Sequence, residues 1–323
     1  MSPCTQTFTP WLSQVIRIYQ HVDYIEFDWV VGPIPIDNWF FDPGQEIVTK
    51  FQTGMQTNGT FFTDANGRET LRRTRDTRPT WDLDTTEKVA SNYYPVNSWI
   101  FIRDYEKDLQ LTVIPDRPQG GSSIDDGSIE LMAHRRLTLD DGFGMEEALN
   151  EVGVDGKGLI VRGKHRVIVG DIKENVRQMR ITSKRLSMKP VIAMKKRNLA
   201  RSMHNTAHRM LMSLENSKFI GLNKKLPANI HLLSLEPFPN NRILIRFEHL
   251  FEVNEDAKFS KPRRISLRNL FAPFIVVEAS EMTLSANQLK SVAEESRLRW
   301  MPEVNPYANY TNALTQIDSE DLG

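Results

Sequence analysis

Asp125, Asp126, Arg135, Arg136, Asp140, Asp141, Glu146 and Glu147 fall close together in a single stretch of the chain. Carboxylates that face one bond from two sides can divide acid and base or nucleophile roles between them. Arginine adds a fixed fork of hydrogen-bond donors suited to oxygen-rich partners. Adjacent carboxylates on a loop are more often simply solvated, and the sequence alone selects no pair. Other candidates are weaker. His204 and His208 lie one helical turn apart, the spacing of a helical metal site, but no glutamate follows the first and no third ligand is near, so they read as surface histidines. Gly156-Lys157-Gly158 lacks both the hydroxyl residue after lysine and the leading glycine of a phosphate loop. Asp64-Ala65-Asn66-Gly67 does not continue into a calcium loop.

Two strand-like runs must position the charged cluster. Leu109, Leu111 and Val113 alternate with Gln110, Thr112 and Ile114, and Ile129, Leu131 and Ala133 alternate with Glu130, Met132 and His134. Each run predicts a strand with one buried and one wetter face. Gly120-Gly121 and Asp126-Gly127 permit tight turns between them. The second run leads directly into Arg135, Arg136, Asp140 and Asp141, a place where a rigid strand holds a binding loop.

Strands recur on both sides. Trp11–Tyr19 and Tyr24–Val31 precede Gly32-Pro33-Ile34-Pro35, where proline ends the ladder. Ile47–Phe51 and Gly59–Thr63 follow, the latter closed by the hairpin signal Asp64-Ala65-Asn66-Gly67. Arg72, Arg73, Arg75 and Arg78, near Trp81, are expected on an exposed strand paired with Asp76, Asp82 and Asp84 rather than on a nucleic-acid surface. Met145–Gly153 suits a turn or two of helix, and Leu159–Ile172 returns to strand. Arg197–Asn216 is the one amphipathic helix, with Leu199, Met203, Ala207, Met210, Leu211 and Leu214 at helical spacing. Ile230–Leu235, Arg242–Val253, Phe274–Glu278 and Met282–Ala286 then read as strands, with His249 a satisfied core histidine. Short strands, turn residues and one helix predict an all-β fold of sandwich type in two parts.

At 323 residues the chain is long enough for about two domains. Lysine plus arginine balance aspartate plus glutamate at 41 each, so no overall field steers nucleic acid. No apolar run reaches the length of about 18 residues that a membrane helix needs. Cys4 is the only cysteine, which excludes an intrachain disulfide and any multi-cysteine zinc site. The start, MSPCTQTF, has no signal-peptide pattern, while Asn58-Gly59-Thr60 and Asn309-Tyr310-Thr311 are glycosylation sequons.

Gln119–Gly144, QGGSSIDDGSIELMAHRRLTLDDGFG, resembles a segment of the α-mannosidases of glycoside hydrolase family 38, those of the lysosomal type. FDWVVGPIPI (Phe27–Ile36), FFTDANGRE (Phe61–Glu69), RPTWDL (Arg78–Leu83) and NYYPVNSWIFI (Asn92–Ile102) extend the likeness. So do LIVRGKH (Leu159–His165), LPANIHLLSLEP (Leu226–Pro237), LIRFEHLFEVNED (Leu244–Asp256) and TLSANQL (Thr283–Leu289). The motifs run in order from Trp11 to Trp300, with little likeness from Arg177 to Lys218.

The resemblance implies a galactose-mutarotase-like β-supersandwich over residues 1–218, lacking its amino-terminal strands. A smaller C-terminal β-sandwich over 219–310 and a disordered tail over 311–323 would follow. Enzymes of this family remove terminal α-D-mannose from N-glycans with retention, using an aspartate nucleophile and a zinc ion held in an amino-terminal α/β domain. None of those motifs occurs here, so the resemblance places no catalytic residue and no zinc ligand on this chain. It implies a carboxy-terminal fragment, inactive alone, whose partners are the missing catalytic domain and mannose-containing oligosaccharides. It also implies a lysosomal destination by the secretory route, with Asn58 and Asn309 as glycan acceptors. Arg135 and Arg136, oriented by Asp140 and Asp141, would stand at the rim of the mannose pocket; the alternative, a buried ion-pair network at a domain interface, stays open. Phe143 departs from the family, whose lysosomal members commonly carry a second basic residue there. Two further readings are a carbohydrate-binding module using Trp29, Trp39, Trp81, Trp99, Tyr93 and Tyr94, and a purely structural sandwich.

Overall fold

A computed structural model describes residues 3–36, 44–144, 146–188, 192 and 221–298. The chain divides into two compact units, one formed by Met1–Ser217, Leu226–Ser234 and Ile245–Ile265, the other by Lys218–Lys225, Leu235–Leu244 and Ser266–Gly323.

The larger unit is built on two antiparallel sheets. In spatial order the first contains β1 (Cys4–Thr9), β2 (Leu12–Ile18), β3 (Ile25–Val31), β12 (Val161–Gly170), β9 (Leu109–Pro115), β8 (Ile100–Asp104), β5 (Thr60–Ala65) and β6 (Glu69–Thr74). The second contains β4 (Gly44–Gln52), β11 (Ser128–Leu137), β10 (Gln119–Ser122) and β7 (Tyr94–Val96). Phe61, Ile100, Ile102, Leu111, Val113 and Val167 from the first sheet meet Val96, Ile129 and Leu131 from the second in one buried core. Two sheets that share a core in this way form a sandwich, and the all-β expectation holds. The Asp64-Ala65-Asn66-Gly67 signal makes the β5–β6 hairpin, with Asn66 at φ 54° and Gly67 at φ 67°. Paired positive φ values match the right-handed twist of the flanking strands.

One helix, α1 (Ile172–Ser187), covers the outer face of the eight-stranded sheet. Asp171 caps it, its Oδ1 accepting the Glu174 N–H at 2.9 Å. Met179 packs among Trp99, Phe101, Ile114 and Ile168. The predicted wetter face of β9 is therefore buried. Asn175 Oδ1 accepts from Thr112 Oγ1 at 2.7 Å and from Gln110 Nε2 at 3.1 Å, while Asn175 Nδ2 donates to the Gln110 carbonyl at 2.8 Å. Polar residues here answer a partner on the helix instead of water.

Other expectations need correction. Met145–Gly153 forms no helix among the described residues; the segment folds back so that Leu137 N–H donates to Leu149 O at 3.0 Å. Among the described residues the basic run does not pair with Asp76, Asp82 and Asp84. Arg73 and Arg78 instead lie over the Tyr94 ring, 4.2 Å and 4.6 Å from its centroid, and Arg75 donates to Ile124 O at 2.7 Å. The predicted helix Arg197–Asn216, with His204 and His208, lies outside the described residues.

Toward the carboxy terminus, β13 (Ile230–Phe238) and β14 (Arg242–His249) pair as a two-stranded sheet. His249 is satisfied as expected, with Nδ1 2.8 Å from Phe251 O and Nε2 3.2 Å from Asn229 Nδ2, but it is half-buried and not a core residue. Phe274–Glu278 and Met282–Ala286 are not strands. A single bridge between Met282 and Leu289 closes a turn through Ala286, at φ 56°, ahead of α2 (Lys290–Glu295).

Candidate functional site

β11 carries the predicted site, and one irregularity decides where its side chains point. Met132 pairs with Val48 and His134 with Ile47, so Ala133 is an extra residue without a partner of its own. Such a bulge shifts the alternation of faces by one. Before it, Ile129 and Leu131 face the core. Beyond it the inward positions are His134, with Nε2 3.3 Å from Leu159 O, and Arg136. Arg136 Nη1 donates to Ile34 O and Nε to Asn150 Oδ1, each at 2.7 Å. Two glycines make room for this tie. A Cβ on Gly158 would stand 2.8 Å from Arg136 Nη1, and one on Gly44, at φ +103°, would stand 2.1 Å from Arg136 O.

Arg135 faces the other way, exposed and opposite Glu46. Asp140 and Asp141 are exposed on the loop that follows. Asp140 Oδ1 accepts the Gly142 N–H and Asp141 Oδ1 the Phe143 N–H, each at 3.0 Å. The expected orientation of the arginines by these aspartates is absent among the described residues. Each acid bends its own turn, and Arg136 is held by uncharged acceptors. Arg135, Asp140 and Asp141 thus share one exposed end of the sandwich with Leu139 and Phe143, the latter 93 % exposed.

The remaining acids are engaged or solvated. Asp125 pairs with Lys50. Asp126 accepts the N–H groups of Thr57 and Gly59 at 3.0 Å and 2.9 Å and the Thr57 hydroxyl at 2.7 Å. Burial works against the Asp126 charge, but these donors outweigh it and hold the carboxyl below its usual range. Glu147 is exposed. Among the described residues no three His, Cys, Asp or Glu side chains converge as a metal site. Asn58 stands exposed on a turn at φ 50°; Asn309 and Trp39 lie outside the described residues. Of the aromatic candidates, Trp29 and Trp99 are buried, Tyr94 lies beneath two arginines, and Tyr93 donates its hydroxyl to Glu130; Trp81 is exposed.

Sequence reasoning missed a second polar centre. Arg177, Arg180 and Lys184 project from α1 at helical spacing. Arg177 Nε meets Asp256 Oδ2 at 2.6 Å, Arg180 Nε meets Glu255 Oε1 at 2.8 Å, and Arg180 Nη2 also reaches Glu252. Glu248 receives Lys184, Arg68 and His231, each at 2.6 Å. Burial raises the Glu255 pKa despite Arg180, whereas at Glu248 the contacts from Lys184 and His231 overcome burial and lower it. The signal lay in Val176, Met179 and Ser183 interleaved with those bases, in the stretch where the family likeness fades.

Two segments align with known domains. Residues 3–143 match the "Glycosyl hydrolases family 38 C-terminal domain" and residues 229–308 the "Glycosyl hydrolases family 38 C-terminal beta sandwich domain". The chain therefore belongs to glycosyl hydrolase family 38 and carries its carboxy-terminal β domains. It is 43% identical over 98% of its length to the lysosomal alpha-mannosidase of Cavia porcellus. Against the lysosomal alpha-mannosidases of Felis catus and Homo sapiens it is 44% identical over 93% and 42% identical over 95%. The chain spans 30%, 28% and 29% of those three proteins.

Proposed function

We propose that this chain is the carboxy-terminal β portion of a lysosomal α-mannosidase that hydrolyses terminal α-D-mannose residues of N-glycans with retention. The observation that carries the reading is 43% identity sustained over 98% of the chain. The zinc ion and the attacking carboxylate belong to an amino-terminal domain, the principal partner of this chain, and the protein reaches the lysosome with a glycan on Asn58. No step of the reaction is assigned to the residues described here. Their part is architectural: Arg136 anchors the end of β11, and Arg135 on the outer face of that strand, with Asp140 and Asp141 on the loop beyond it, stands at the rim of the mannose pocket.

The 323-residue chain by itself should give no zinc-dependent turnover of a chromogenic α-mannoside, and the full-length protein should turn it over. In the full-length protein, Arg135→Ala should raise KM while leaving the thermal midpoint unchanged. Turnover by the isolated chain, or a full-length protein inert toward α-mannosides, would refute the assignment.

A further inference from the structure

A cleft of about 360 Å³ opens between the carboxy-terminal half of α1, the hairpin turn at Asn66–Arg68 and the segment Glu248–Glu252, wholly within the larger unit. It has no part in the mannosidase reading above. Three of its properties define what it would bind. The first is charge. Arg68, Arg180 and Lys184 on its walls are matched by Glu248 and Glu252, with Glu255 behind Arg180, so no net charge attracts a phosphate or a carboxylate.

The second property is hydrogen bonding. The ion pairs hold planar carboxylates and guanidinium groups rigid. Lys184 Nζ and Arg68 Nη1 each meet Glu248 at 2.6 Å, and among the described residues both side chains keep further N–H groups to donate. Ser98, Ser183 and Ser187 add hydroxyls to the wall. The third property is size and shape. The volume lies at the lower end of small-molecule sites, room for one six-membered ring with its hydroxyls and bridging water. The Trp99 ring is already covered by Arg180, 4.6 Å from its centroid, so recognition falls to hydrogen bonds and not to stacking.

A ligand that is uncharged, compact and able to donate and accept at every corner meets all three conditions. We propose that this cleft is a binding site for a single neutral pyranose, such as the terminal hexose of a glycan.

The test uses the full-length protein and a diazirine-bearing methyl α-D-mannoside, with crosslinked peptides mapped by mass spectrometry. Label is expected on peptides containing Arg180–Ser187 or Glu248–Glu252, displaced by methyl α-D-mannoside and untouched by inorganic phosphate. Ser187 is exposed, so Ser187→Trp sets a ring in the mouth of the cleft without disturbing the core. That variant should lose labelling roughly tenfold or more while turnover of a chromogenic α-mannoside is unchanged. If Ser187→Trp loses its cooperative unfolding transition, Arg68→Met, at a half-exposed position, takes its place with the same expectation. Label that misses both peptides, survives the variant, or is displaced by phosphate overturns the proposal. Turnover and labelling are separate readouts, so an inert enzyme that still labels the cleft would sink the mannosidase reading and leave this one standing.

Discussion

Replacing Asn175 with alanine should loosen the helix from the sheet. Asn175 is 1% exposed and is held on both sides of its amide. Alanine would leave the Thr112 hydroxyl without its 2.7 Å acceptor and the Gln110 carbonyl without its 2.8 Å donor, in a place water does not reach. An unsatisfied buried group costs about 1–3 kcal/mol, and the lost amide leaves a small void as well. The expected total is about 3 kcal/mol. Hydrogen–deuterium exchange of α1 and β9 amides reads this locally, as faster exchange by a factor on the order of 100 if those segments open together. Thr112→Val supplies the control. It removes the hydroxyl that the first variant orphans, so the double variant should be more stable than the sum of the singles by about 1 kcal/mol. A loss below about 0.5 kcal/mol, or strict additivity, would show that the network does not hold the helix.

Three further outcomes follow from the same geometry. His165 is fully buried, and burial pushes its pKa down to about 4, so the folded protein keeps it neutral where the unfolded chain takes up a proton. Its contribution should be intact above the unfolded value of about 6.5 and be lost as pH falls toward 4, by up to about 3 kcal/mol; His165→Gln should flatten the stability–pH curve across that interval. A Cβ on Gly163 would stand 2.2 Å from Trp29 Cζ2, so Gly163→Ala should destabilise by about 1–3 kcal/mol, read as a lower thermal midpoint. Arg136→Ala should speed amide exchange across residues 148–158, whereas Arg135→Ala should leave that exchange unchanged; equal effects would contradict the inward and outward assignments.

What could be read from the sequence were the local devices. Asn66-Gly67 names its turn because few other pairs accept positive φ at both positions, and the alternation in β9 and β11 names strands because the pleat imposes a period of two. Meaning carried by a distant partner was not legible. Gln110 and Thr112 look solvated until Asn175 arrives from a helix more than sixty residues later. Asp126 looks like a free acid until the amides of Thr57 and Gly59 close on it. The Arg135–Asp141 segment shows the same limit, because a bulge changes neither composition nor pattern yet reverses which arginine is buried. Arg177, Arg180 and Lys184 read as a solvated run without the acids contributed by Glu248–Asp256.

The odd residue in β11 also bears on how the strand tolerates change in length. Deleting Ala133 would restore uninterrupted alternation while His134 and Arg136 keep their partners Ile47 and Gln45, so Arg136 would stay on the inner side. A slip that instead paired Ala133 with Ile47 would turn position 135 inward, and because both positions are arginine a guanidinium would still be offered to the Ile34 carbonyl. Tandem identical side chains beside a pleating fault thus act as a spare, letting the strand slip by one residue without forfeiting its anchor.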